Sequence, residues 1–149
     1  MQKNIMLYLN KLEGFKTAIK NLHWDAKGMS EHKFMDDLED IISDHQDEAA
    51  EISQGVFNIK IKKNELQPKS YKISTQEKLI KDIIKNSELF YKTIQNNKKY
   101  IGLRSIVEEF LGEMNKQAYL LPMCLAETKL SEKISKTLHE NLLKYGQLL

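Results

Sequence analysis

Residues 30–55 read SEHKFMDDLEDIISDHQDEAAEISQG, and the spacing inside this stretch decides the fold. With His32 set at zero and ~100° per residue, Asp36 falls at about 40°, Asp47 at about 60°, Asp40 at about 80° and Glu51 at about 100°. Phe34, Leu38, Ile41, Ala49, Ile52 and Val56 gather instead at about 180–260°. One helix with a carboxylate face opposite an apolar face satisfies both sets. Ser30 is a suitable N-cap for it, and Gly55 a natural stop after Gln54.

The same periodicity runs outward in both directions. Ile5, Leu9, Leu12, Phe15, Ile19 and Leu22 recur at three and four residues, predicting a first helix over about 3–25 that breaks at Lys27-Gly28. Residues 56–73 form the longest connector. Ser74-Thr75-Gln76-Glu77 reads as a capping box opening a third helix, which uses Leu79, Ile83, Leu89, Phe90 and Ile94. After Asn96-Asn97 and Gly102, a fourth helix uses Ile106, Phe110, Leu111, Met114, Ala118 and Leu121, with a kink expected at Pro122. Ser131 then caps a short terminal fifth helix bearing Ile134, Leu138 and Leu142. The expectation is an all-α protein, one domain over 1–149. Its architecture would be a ferritin-like four-helix bundle with a long crossover between the second and third helices and a short C-terminal fifth helix.

Composition narrows the function classes. Hydrophobic residues make up 41% and charged residues 30% of the 149, ordinary for a helical domain with one core. The apolar runs are too short for a membrane span, and Met1-Gln2-Lys3-Asn4 leads straight into the first periodic segment without a signal-peptide core, so a cytoplasmic location is expected. The single cysteine, Cys124, excludes an intrachain disulfide and a cysteine-based zinc knuckle; its apolar neighbours suggest a buried, inert thiol. Net charge is +2, and Arg104 is the only arginine, so bidentate phosphate recognition is poorly supplied. Residues 58–73 hold five lysines against one glutamate, which reads as a solvated connector rather than a phosphate-binding patch.

The carboxylate face holds the candidate chemistry. Residues 23–51 carry ten of the 21 carboxylates, three of the four histidines and the only tryptophan. His32 and Asp36 stand one turn apart, as do Asp47 and Glu51, so each pair can converge on one ion. The pairs are centred about 22 Å apart along the helix, so one chain cannot bring both to one metal. Two antiparallel copies can, with two equivalent sites about a twofold axis. A plainly solvated acidic face is the competing reading. Oxygen ligands with an imidazole suit iron, manganese or zinc. The Glu-x-x-His motif of di-iron sites inside a bundle is absent, since Lys20, Met29, Ile42 and Lys136 stand three before the four histidines. His45 falls on the apolar side, as a core histidine, and His139 reads as a surface residue. Trp24 is either an ordinary aromatic or, beside a metal, an electron donor.

His23-Trp24-Asp25-x-x-Gly28, then His32-x-x-x-Asp36, then Asp44-His45-Gln46-Asp47-x-x-Ala50-Glu51 resembles the Dps family, the DNA-binding proteins from starved cells or mini-ferritins. The stretch between His23 and His32 is a few residues shorter than is usual there, and Ile52 stands where an arginine is common. The resemblance implies four-helix bundles assembled into hollow dodecamers, with an obligatory dimer. It implies a ferroxidase site with His23, His32 and Asp36 from one subunit, Asp47 and Glu51 from its partner, and Trp24 close by. The implied activity is oxidation of Fe(II) by hydrogen peroxide or dioxygen, followed by storage of ferric iron, with Asp40 and Asp44 guiding cations inward. A non-catalytic structural or partner-binding bundle, with DNA as one partner, is the alternative; no lysine-rich tail precedes the first helix.

Overall fold

The computed structural model describes residues 1–73 and 75–147. Four long helices carry the chain: α1 (Gln2–Trp24), α2 (Met29–Phe57), α3 (Gln76–Thr93) and α4 (Ile101–Gly146). Two single 3-10 turns, Lys63–Glu65 and Lys98–Tyr100, punctuate the connectors, and there is no strand among the described residues. The expected all-α bundle is present. Helix α1 packs on α2 and α3, and α4 packs on the same two, so α1 and α4 stand at opposite corners. Ile5, Leu9, Leu12, Phe15 and Ile19 of α1 meet Leu38 and Ile42 of α2, Leu79 and Ile83 of α3 and Leu103 and Val107 of α4 in one core. These are the positions that the three- and four-residue spacing selects.

The chain from α2 to α3 travels the length of the bundle. It leaves α2 beside the start of α4, where Phe57 lies against Tyr100. It arrives at the opposite end, where the Gln76 side-chain amide donates to Glu31 near the start of α2. On the way it lies across α1: Tyr71 stacks on Phe15 at 4.7 Å, and the Gln67 amide donates to Asn10. Gly14 makes this crossing possible. A Cβ at Gly14 would stand 2.5 Å from the Tyr71 ring and 2.6 Å from the Lys69 carbonyl oxygen.

Several helix ends differ from expectation. The N-cap of α2 is Gly28, and the Ser30 hydroxyl donates to Glu127 of α4 instead. Gly55 does not stop α2, which runs on because Phe57 still has an aromatic partner to reach; Asn58 ends it in the left-handed region at φ 50°. Thr75 caps α3 by accepting from the Lys78 amide, and Ser74 lies outside the described residues.

The short fifth helix does not exist as a separate element. Helix α4 continues through Pro122 and Ser131 to Gly146. Ser131 has strong helix formers on both sides and no glycine before Gly146, so a serine able to cap is carried through as an interior residue. Thr128 is the last buried residue of α4; beyond it the helix leaves the bundle. Cys124 is half-buried, less enclosed than expected, and burial pushes its thiol upward, with Glu31 and Glu127 adding to the effect. No helix among the described residues is long and apolar enough to cross a membrane.

Candidate metal centre

The end of α1 and the start of α2 are joined by four residues, and that brevity places the centre. Asp25 closes α1 by donating its amide to Asn21, and the Ala26 amide returns to the His23 carbonyl. The Lys27 amide donates to the buried Glu31 carboxylate, and the His32 amide to the Gly28 carbonyl. Thr128 packs over Gly28 from α4, where a Cβ would meet it at 3.4 Å. The turn is thereby clamped from three helices, and the last histidine of α1 faces the first turn of α2.

Three side chains converge there. The rings of His23 and His32 lie 3.8 Å apart between centroids. The Asp36 carboxylate spans both, with Oδ1 2.9 Å from His23 Nδ1 and Oδ2 3.9 Å from His32 Nε2. One ligand atom from each of the three lies within 4.8 Å of the others. Ligand atoms around a tetrahedral zinc stand about 3.4 Å apart, so small side-chain rotations close the set on an ion. His23 is enclosed, its side chain 11% exposed, whereas His32 and Asp36 are 43% and 51% exposed. The approach of Asp36 to His23 Nδ1 is close but outside hydrogen-bond geometry, and that buried nitrogen has no other partner among the described residues. An unsatisfied buried nitrogen is costly, and a cation facing Asp36 would satisfy it. The short turn therefore delivers His23 to the other two.

The remaining expected residues lie apart from this group. Asp47 and Glu51 are exposed on the same long face of α2 but line a separate hollow of about 330 Å³ with Gln46, Gln54 and Lys63. Burial and the nearby Lys63 push the Lys16 ammonium below its usual value, against the pull of Glu13 and Asp47. Asp40 is exposed beside the Lys20–Glu39 pair, which closes at 2.5 Å next to the centre. Asp44 turns the other way, into a hollow against α4 with His45, Glu48, Glu109 and Glu113. Trp24 is 76% exposed at the bundle end, adjacent in sequence to His23.

His45 is the core histidine that its angle predicts. Its Nε2 lies 2.9 Å from the Tyr8 hydroxyl, which also lies 2.8 Å from Ser87 Oγ, and its ring stacks on Phe110. Burial lowers its pKa to about 4. Periodicity marked Tyr8 and Ser87 in no way, because a polar residue on an apolar stripe reads as an interruption until its partner is seen. Lys20 and Glu31 were also missed. Glu31 carried one usable signal, an acidic residue three positions after the Gly28 cap. Arg104 is occupied within the fold, donating to the Ile94 carbonyl and the Tyr91 hydroxyl while its guanidinium lies over the Tyr91 ring. His139 is exposed, as expected. No family model, curated protein or solved structure matches this chain.

Proposed function

We propose that this protein is an oligomeric, iron-binding helical bundle that takes Fe(II) as substrate at sites shared between subunits and oxidises it. The observation that carries the reading is the convergence of His23, His32 and Asp36 within 4.8 Å, with a buried His23 nitrogen lacking a partner. Neutral imidazoles and a carboxylate are a competent set for Fe(II), with manganese or zinc as substitutes, and the set is incomplete as three ligands. Asp47 and Glu51 of a second copy, brought antiparallel along α2, would supply the missing carboxylates. The crossover that runs the length of the bundle supports a ferritin-like class, as does the Dps-like spacing of the residues themselves.

Two Fe(II) ions would each give one electron to hydrogen peroxide, which with two protons leaves as two waters; dioxygen is the alternative acceptor. Asp36 and His32, open to solvent, would receive the incoming ion, while His23 holds its enclosed side. Trp24, next to His23 in sequence, would supply an electron when peroxide meets a single Fe(II). Ferric product would be stored inside a closed assembly, for which a dodecamer is the proposal that follows from the resemblance. Removing both iron and peroxide would limit oxidative damage.

A second reading is a non-catalytic bundle that binds partners. It is favoured by Lys63 in the hollow with Asp47 and Glu51, a cation where a metal would need to sit. Anaerobic Fe(II) loading followed by peroxide separates the two. Wild-type protein should give rapid ferric absorbance, and His32→Ala/Asp36→Ala should lose at least about tenfold of the rate. Equal rates in both proteins, with particle mass unchanged, would remove the ferroxidase reading and leave the second.

A further inference from the structure

Beyond Thr128, helix α4 runs on for about five turns in which every residue is exposed among the described residues. Leu130, Ile134, Leu138 and Leu142 recur every four residues along this overhang and are each 58–63% exposed. Spacing of four keeps them on one stripe, which turns slowly around the helix. Tyr145 extends the stripe, 63% exposed. A lone helix of this length is marginal in water. Its exposed leucines, isoleucine and tyrosine form a contiguous apolar strip of a size that often marks an interaction surface.

The stripe does not end where the overhang meets the bundle. On the same side of α4, Leu120, Met123 and Cys124 line a hollow of about 530 Å³, closed on its far side by Met29 and Phe34 of α2. Met29 is 78% and Met123 48% exposed. Each chain therefore presents an apolar ridge and, on one continuous surface, a hollow lined by these apolar groups together with Ser30, Lys33, Asp37 and Glu127. The hollow lies on the side of α2 that faces α4, whereas His23 joins His32 and Asp36 from α1. The two surfaces are separate.

We infer that this surface is a self-association interface: two copies of the chain pair their overhangs antiparallel, and the tip of each enters the hollow of the other. The lengths agree. Leu130 to Leu142 spans about 18 Å, so a twofold axis near Ile134 sets Leu142 and Tyr145 opposite Met123–Glu127 of the second copy. Parallel pairing would match ridge to ridge and leave both hollows open. The area is also sufficient. Seven large side chains, each leaving roughly 100 Å² in water, remove on the order of 1,400 Å² when two copies close, the size of a specific interface. A twofold contact satisfies ridge and hollow of both chains at once. The overhang carries four lysines and two glutamates, so an anionic membrane is the competing occupant that the test must exclude.

The chain's only cysteine makes the geometry testable. In Asn141→Cys, the new thiol approaches Cys124 of the second copy, and a short bis-maleimide should give a covalent dimer. Wild type and Cys124→Ser/Asn141→Cys should give none, because like positions lie about 20 Å or more apart along an antiparallel pair. Ile134→Glu/Leu138→Glu should lower the mass seen by light scattering at least about twofold while keeping its helical circular dichroism and its Fe(II) binding. A cross-link in Cys124→Ser/Asn141→Cys would overturn the antiparallel pairing. Unchanged mass in the double-glutamate variant would overturn the interface. So would a monomeric wild type, or one that sediments only with anionic vesicles.

Discussion

At the scale of single residues, the two histidines on α2 show what spacing can and cannot report. His32 and His45 lie on opposite sides of one helix, and their angles alone separate a half-exposed imidazole of the candidate centre from a core residue. The consequence for His45 is a dependence on pH. The unfolded chain protonates this imidazole near its ordinary value of about 6.5, while burial holds the folded one to about 4. Between those values the unfolded state binds more protons, so stability falls as pH drops, by about 3 kcal/mol across the window. Asp44, Glu48, Glu109 and Glu113 line the hollow beside the ring and would favour the charged form, but burial dominates. Denaturant midpoints of wild type and His45→Gln between pH 7 and 4 check this. The wild-type curve should fall more steeply, and parallel curves would refute it. His23 was legible as a candidate by residue type, but its approach to His32 and Asp36 was not. Its position depends on the clamp of Glu31, Gly28 and Thr128, three contacts that bridge separate helices and have no signature in local sequence.

At the scale of elements, the four helices and their buried faces were legible because burial on a helix repeats with a period that the sequence must obey. Their ends were not, because an end depends on what lies beyond it. Gly55 lost to the reach of Phe57 toward Tyr100, and Ser131 lost to helix formers on both sides. The crossover belongs with the ends: its length could be counted, but its path over α1 depends on a missing side chain at Gly14. Gly14→Ala forces a methyl into Tyr71 and the Lys69 carbonyl. Relief requires the crossover to lift, because the α1 backbone is locked in the core. The expected cost is about 1–3 kcal/mol, the range for overpacking. Limited proteolysis should show faster cleavage within residues 66–73 in the variant, with helical content preserved. Equal cleavage rates would mean that the crossover is held from elsewhere.

At the scale of the whole molecule, charge and symmetry bear on the same question. Helix α2 carries nine carboxylates against one lysine, yet the chain as a whole is +2, so the remaining surface is basic. A basic body with one acidic edge opposes pairing α2 edge to edge, unless something neutralises the carboxylates where they meet. A metal ion shared between His32/Asp36 of one copy and Asp47/Glu51 of the other would do this, so Fe(II) or Zn(II) should promote the α2 pairing and chelation should reverse it. The sharing itself can be tested by mixing two inactive proteins. In His32→Ala/Asp36→Ala the first half-site is lost, and in Asp47→Asn/Glu51→Gln the second. A dimer of one of each retains one intact shared site and one doubly damaged site. Unfolding is not needed if subunits exchange, and mass spectrometry of an isotopically labelled partner reports the exchange. Once mixed dimers form, peroxide-dependent Fe(II) oxidation should recover to about one quarter of wild type, since half the dimers are mixed and each has one working site of two. Full activity of Asp47→Asn/Glu51→Gln on its own would place the chemistry within one chain, at His23, His32 and Asp36 alone, and mixed dimers without recovery would refute the sharing of the site between subunits.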